Sequence, residues 1–199
     1  QDGRYMVNFR LLCCRRHGDI YTTRERVFVV AVLKSKLKPG VTAQDFFPAE
    51  ERPSRPGRVM DILRRAPRAQ ELAGLDASRV EWLPERESDD SYDGLRLVGR
   101  YDGSSEIGHH VYSAEGPAPT QRTGGTGPGL GTGLFWDGEH LFRLSPEQSL
   151  AVQSCDPFLY FKASALGISD AEIYSLAGNT IPVKTLRALV QQLLSLLRW

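Results

Sequence analysis

Residues 5–14, YMVNFRLLCC, read as a strand, and residues 26–33, RVFVVAVL, as a second one rich in β-branched side chains. The second is apolar almost without a break, the pattern of a strand covered on both faces in an α/β sheet. The intervening RRHGDIYTTRE makes a hairpin-like pair the expected arrangement. Beyond Pro39-Gly40 a polar stretch leads into a proline-rich connection, FFPAEERPSRPG, and then a short helix over 58–66. Residues 67–95 are acidic and weakly patterned, which predicts loop with a little helix.

Short strands are expected at 95–101 and 109–113, and a hairpin over 134–144 turning at Asp137-Gly138. Ser145, Pro146 and Gln148 announce a helix: an N-cap, a proline at the first helical position and the partner of a capping box. The chain closes with Val183, Leu186, Leu189, Val190, Leu193, Leu194 and Leu197 at helical spacing, so 182–199 is a helix with one apolar face. That single strong helix cannot cover both faces of strand 27–33, and an isolated strand pair is marginal in water. The sequence therefore reads as the edge of a larger α/β domain whose main body lies elsewhere. The first residue is Gln1 rather than Met, which fits the same expectation of a piece of a longer protein.

Composition narrows the class. A chain of 199 residues with 41% hydrophobic and 25% charged positions is ordinary for a globular domain. No apolar run reaches the roughly 18–20 residues of a membrane span, and no signal peptide opens the chain. Net charge is +1, but residues 1–40 hold nine Lys/Arg against three acids, while 76–106 hold nine acids against four arginines. A basic front segment suits a polyanionic partner as well as a plain solvated surface. Cys13, Cys14 and Cys155 form neither a zinc spacing nor a disulfide framework, and the four histidines lack ligand spacing. No metal site is expected, and the setting expected is intracellular and reducing. There is no internal repeat.

The stretch TGGTGPGLGTG, residues 123–133, has six glycines in eleven positions. It lacks the Gly-Lys-Ser/Thr of a phosphate loop, and its flanks are strands rather than the strand and helix of a dinucleotide fingerprint. A linker and a loop whose backbone approaches a ligand remain.

Three segments, in order, resemble the late motifs of the DNA cytosine-5 methyltransferase family. GDIYTTRERVFVVAV (18–32) is similar to its Gly-x-Pro-Gln-x-Arg-x-Arg strand motif, with Arg24 and Arg26 in the arginine places. RLSPEQSLAVQSCDP (143–157) resembles the Arg-Leu-Thr-Pro-Glu-Glu motif, and YSLAGNTIPVKTLRALV (174–190) the closing Gly-Asn-Ser/Ala-Val-Pro motif. FFPAEERPSRPGRVMDIL resembles the family's entry to its recognition domain, and GPAPTQRTGGTGPG its glycine-rich recognition loop. Departures are Tyr21 for Pro, Thr22 for Gln and Gln121 for Leu or Ile. The Phe-x-Gly-x-Gly turn, the Pro-Cys-Gln nucleophile loop and the Glu-Asn-Val segment are missing; in the family they lie upstream.

The resemblance implies an α/β fold: the edge of an incomplete Rossmann-like methyltransferase sheet plus a mostly β target recognition domain. The parts would be the last catalytic strands (1–40), the recognition domain (41–142), a hinge with the domain-closing motif (143–177) and the returning helix (178–199). It implies transfer of a methyl group from S-adenosylmethionine to a cytosine flipped out of double-stranded DNA. Arg24 and Arg26 would bind the flipped base, and Asn179 and Thr180 would sit by the cofactor. Thr120, Gln121, Arg122, Thr123, Gly124 and Gly125 would meet the DNA. The chain alone would be inactive and would need the upstream half, on the same chain or as a subunit, in a nucleus or a bacterial cytoplasm. A non-catalytic DNA-binding or regulatory module and an RNA cytosine methyltransferase fragment are the alternatives. None of the three cysteines stands in the nucleophile's context.

Overall fold

A computed structural model of the chain describes residues 3–18, 21–50, 57–65, 75–84 and 94–198. It is a mixed α/β structure built on two sheets. Strands β1 (Tyr5–Cys13) and β2 (Glu25–Leu33) pair antiparallel over nine residues, from Tyr5 opposite Leu33 to Cys13 opposite Glu25. Because side chains alternate along a strand, this register sorts the pair into two apolar faces. Leu12, Phe28, Val30 and Val32 face inward, onto Phe46, Phe47 and the last helix, α5 (Val183–Leu196). Tyr5, Val7, Phe9, Leu11, Val27 and Val29 form the other face, each more than half exposed. The strand expected to be covered on both sides is covered on one.

Helix α5 meets this pair with Leu189, Leu193 and Leu196, and leaves Leu186, Val190 and Leu194 exposed on its adjoining flank. Backbone bonds fasten its end to the segment after β2: Lys38 N–H donates to the Leu196 carbonyl and Arg198 N–H to that of Lys36.

The second sheet has five strands in the order β3 (Val80–Trp82), β4 (Leu97–Tyr101), β5 (His110–Ser113), β6 (Leu134–Trp136) and β7 (Leu141–Phe142). All pairings are antiparallel except β5 with β6, which is parallel. Residues 114–133, the glycine stretch included, are therefore a crossover between parallel neighbours and not a hairpin loop. The expected hairpin between β6 and β7 is present, and the Asp137 carboxylate accepts from the Glu139 and His140 amides to close its turn. One face of the sheet packs Val80, Tyr101, Val111, Leu134 and Leu141 together. The other packs Tyr112, Phe135 and Phe142 with Val59 and Ile62 of α1 (Val59–Arg65), close to the expected helix.

Helices α2 (Pro146–Val152), α3 (Phe158–Ala165) and α4 (Asp170–Asn179) follow. The capping box at Ser145 and Gln148 forms as its residues predict. Strand β3, α3 and α4 were not legible in the pattern. Helix α3 scatters its apolar residues round the axis and ends in a glycine C-cap: Gly167 at φ 79°, Ile168 N–H to the Ala163 carbonyl, Gly167 N–H to that of Ser164.

Candidate functional site

The strand motif (18–32), the glycine-loop segment and the Gly-Asn motif (174–190) meet at Arg24, and segment 143–157 joins them through Gln153 on Gln121. A parallel bridge between Thr22 and Ala118, with Thr23 N–H donating to the Ala118 carbonyl and Ala118 N–H to that of Tyr21, lays the approach to β2 along residues 118–121. The Thr22 hydroxyl adds a bond to the Pro119 carbonyl at 3.3 Å. This alignment drives the Arg24 side chain inward, where it is 3% exposed. Its Nη1 donates to the Gln121 carbonyl at 2.8 Å and its Nη2 to the Gly178 carbonyl at 2.6 Å. Burial, then the neighbouring Arg26, pull the Arg24 guanidinium below its ordinary pKa. It stays a cation, and two carbonyl dipoles receive it.

Gly178 is also in contact with the glycine loop. A Cβ there would stand 2.5 Å from the Arg122 carbonyl carbon and 2.6 Å from the Thr123 nitrogen, so only glycine lets α4 touch the loop backbone. Gly178 and Asn179 are the last residues of α4, and neither has a positive φ. Close approach is what requires glycine.

The loop itself is a folded unit. Arg122 N–H donates to the Gly131 carbonyl and Gly129 N–H to that of Gly108, at 3.1 and 2.7 Å. At Gly125, Gly129 and Gly131 an added Cβ would overlap backbone atoms of the loop or its neighbours, whereas at Gly124 it would meet nothing. A flexible linker has no such constraint. Arg143 braces the loop from below, with Nη1 on the Pro128 carbonyl and its guanidinium over the Tyr174 ring at 5.8 Å. Arg122, Thr123, Gly124, Gly125 and Thr126 are exposed on its outer side. With Gly108 and Glu106, several of them wall a cleft of about 340 Å³.

Individual placements differ from residue to residue. Thr120 is half-buried and Gln121 points inward, 3% exposed, its Oε1 accepting from Gln153 Nε2 at 2.7 Å. Gln153 is wholly buried, and its carbonyl also receives Val183 N–H, the first amide of α5. Sequence reading passed over Gln153; a glutamine one residue past a capped helix gives no signal of its own. Arg26 is half-exposed, with Nη1 on the Glu25 carbonyl at 2.6 Å. Asn179 is exposed, whereas the Thr180 hydroxyl donates to the Leu176 carbonyl.

Burial works against the thiolate form at Cys14 and Cys155. Cys14 is wholly buried, and burial pushes its thiol up to about 11 against a mild lowering by Thr185. Burial also raises Cys155, and Cys13 is buried. A thiol rather than a thiolate is what each of Cys14 and Cys155 presents near neutrality. Among the described residues no group of three or more His, Cys, Asp or Glu could hold a metal ion, and no helix is long and apolar enough to cross a membrane.

No protein-family model and no curated protein matches the chain. Solved structures do. The chain is similar to S. pombe Dnmt2 methyltransferase (TM-score 0.59, 16% identity) over 96% of its own length and 57% of that chain. It is similar to Entamoeba histolytica methyltransferase EhMeth (0.59, 12%) over 96% and 54%, and to a Spodoptera frugiperda DNMT2 mutant (0.51, 14%) over 96% and 58%. At these identities the likeness is one of fold. The chain has a methyltransferase-like fold and spans a little over half the length of each of these proteins.

Proposed function

We propose that this chain is the target-recognising portion of a DNA cytosine-5 methyltransferase, working with a further part that supplies the nucleophile and the methyl-donor site. The observation that carries the reading is the junction at Arg24, where the strand motif, the glycine loop and the Gly-Asn motif are joined by hydrogen bonds spanning 97 and 154 residues. A scaffold that holds a loop against the catalytic side of such an enzyme needs this kind of tie.

In this reading the roles of the two arginines separate. Arg24, with both Nη atoms on carbonyls, is a positioning residue. Arg26 is the substrate contact: a guanidinium has five donors, and those not spent on Glu25 are offered to the O2 of a flipped cytosine and to the charge that builds on its ring. Arg122, Thr123 and the exposed glycine backbone approach the phosphates or base edges, while Gln121 acts through its backbone carbonyl.

S-adenosylmethionine would supply the methyl group. The described residues do not by themselves form its site: Asn179 is one exposed amide, the Thr180 hydroxyl is already engaged, and neither lines the cleft at the glycine loop. No step is assigned to it.

Support for a further part comes from the open apolar face of β1 and β2 together with the α5 flank. Their exposed Phe9, Val29, Leu186, Val190 and Leu194 belong in a domain interior. Beyond Glu25 and Arg26, β2 runs apolar from Val27 to Leu33 without the charges that blunt free sheet edges. The test is methyl transfer from labelled S-adenosylmethionine to a cytosine-bearing duplex by the gene product in its full native context. Arg26→Ala is expected to lower the rate by about a hundredfold, with binding retained. No transfer to DNA, or transfer only to RNA, contradicts the reading.

A further inference from the structure

The cleft at the glycine loop is lined by two charged residues of opposite sign, Arg122 from the crossover and Glu106 from the connection between β4 and β5. Both are exposed, and no ion pair joins them. Among the described residues the Arg122 guanidinium makes no hydrogen bond or ion pair. The Glu106 carboxylate makes one bond, Oε2 accepting from the Thr126 hydroxyl at 2.5 Å, and its Oε1 is open. The backbone that presents Glu106 is held on several sides. His110 Nε2, on β5, donates to the Ser105 carbonyl at 3.0 Å, and His109 N–H to the Glu106 carbonyl at 2.8 Å. At Gly108 an added Cβ would overlap the Thr126 carbonyl oxygen, so the segment that carries Glu106 lies directly against the loop.

A carboxylate on a DNA-facing cleft is repelled by phosphates, so it has to be matched by a donor on the bases. The major-groove edges differ in what they offer. Guanine shows two acceptors, N7 and O6, and thymine shows the acceptor O4. Adenine sets its N7 acceptor beside its amino group. Only cytosine shows a donor, its N4 amino group, with no acceptor on its own edge. A carboxylate with one oxygen held by Thr126 and the other open fits that edge and is opposed by the other three.

We infer that Glu106 is a specificity-determining residue of this cleft, its Oε1 accepting a hydrogen bond from the N4 amino group of a cytosine while Arg122 holds a nearby phosphate. The cytosine is one that stays paired in the duplex, not the one flipped for reaction. This assignment rests on the DNA reading of the glycine loop and adds to it a base that the loop's neighbour selects.

The test is selection by the whole chain, at low salt, from a DNA duplex library with a randomised central segment, alongside a single-stranded RNA library of the same design. The retained fraction is sequenced. The unaltered chain is expected to enrich cytosine over thymine about tenfold at one position of the duplex. Glu106→Gln keeps an acceptor for the Thr126 hydroxyl but presents an amide, which suits adenine N6 and N7, so that position should turn to adenine. Glu106→Ala should lose the preference there while total duplex retention stays within about twofold. An unchanged melting temperature for Glu106→Gln separates the change of base from a folding defect. Duplex retained without a cytosine preference, or with the same base profile in all three proteins, would overturn the role of Glu106 and leave the DNA reading standing. Retention of no duplex, or of RNA alone, would overturn the DNA reading and this assignment with it.

Discussion

Arg24 Nη2 donates to the carbonyl oxygen of Gly178 at 2.6 Å, joining the start of β2 to the end of α4 across 154 residues. The same side chain reaches the Gln121 carbonyl, so removing it strands two buried acceptors at once. Each buried acceptor left unmet costs about 1–3 kcal/mol, so Arg24→Ala should destabilise the chain by about 2–5 kcal/mol. Arg24→Lys, which keeps the charge but cannot span both carbonyls, should recover part of that. Urea unfolding measures the loss, and hydrogen exchange at the Arg122 and Gly129 amides should rise with it. A change below about 0.5 kcal/mol for Arg24→Ala, the ordinary range of a surface substitution, would refute the tie.

Gly178 and Gly124 offer a contrast within one junction. In an ordinary helix Gly→Ala gains about 0.5–1 kcal/mol. At Gly178 the new methyl would stand against the Arg122–Thr123 backbone, and overpacking of this kind costs about 1–3 kcal/mol, which exceeds the gain. Gly178→Ala is therefore expected to destabilise and to loosen the loop. Gly124→Ala, facing open space, should leave the midpoint of unfolding where it is. Equal effects of the two would show that the loop does not rest on α4.

Cys14 gives a pH dependence. Its folded pKa is raised to about 11 from the model-peptide 9.0. Between those values the folded state holds a proton that the unfolded state has lost, so stability is full below pH 9 and falls as pH rises toward 11. The full loss is about 2–3 kcal/mol. Tyr112, whose hydroxyl burial pushes up to about 12, adds its own loss above pH 10. Cys14 is isolated by comparing the alkaline slope with that of Cys14→Ala, which should be shallower between pH 9 and 10.5. Identical slopes would mean that the thiol is not shielded.

Phe9 and Val29 stand opposite each other on the open face of the β1–β2 pair, both 71% exposed. Phe9→Gln with Val29→Thr should change the stability of this chain by less than about 0.5 kcal/mol, since neither side chain is buried. With the covering part of the proposed function in place, the same pair should be strongly destabilising, by about 3 kcal/mol or more, if the face lies in a domain interior. Differential scanning calorimetry of both forms decides it, and equal tolerance would remove the case for a covering part.

Legibility followed the range of the interactions. The capping box at Ser145, the β6–β7 turn at Asp137-Gly138, the stripe of α5 and the β1–β2 pair were readable because local chemistry sets them. Helices α3 and α4 were not: Phe158, Leu159, Phe161 and Leu166 follow no helical face, and all four are exposed. Strand β3 is three residues long and is defined by its partner β4 rather than by its own pattern. At the site, sequence order brought Arg24, the TQRT segment (120–123) and Gly178 under one reading. The inward turn of Gln121 and the part played by Gln153 are tertiary facts, set by a contact 32 residues apart. The glycines of 123–133 are explained by loop backbone packing on itself and on α4, which no local rule states.

Duplex binding as a function of salt tests the central claim most directly. If the loop faces DNA, the chain should retard a duplex at low salt, and the affinity should fall steeply as salt is added. Arg122→Ala should weaken binding and reduce the log–log slope by about 0.9, one phosphate contact's share. No retardation at low salt, or a slope that Arg122→Ala leaves untouched, would contradict the account.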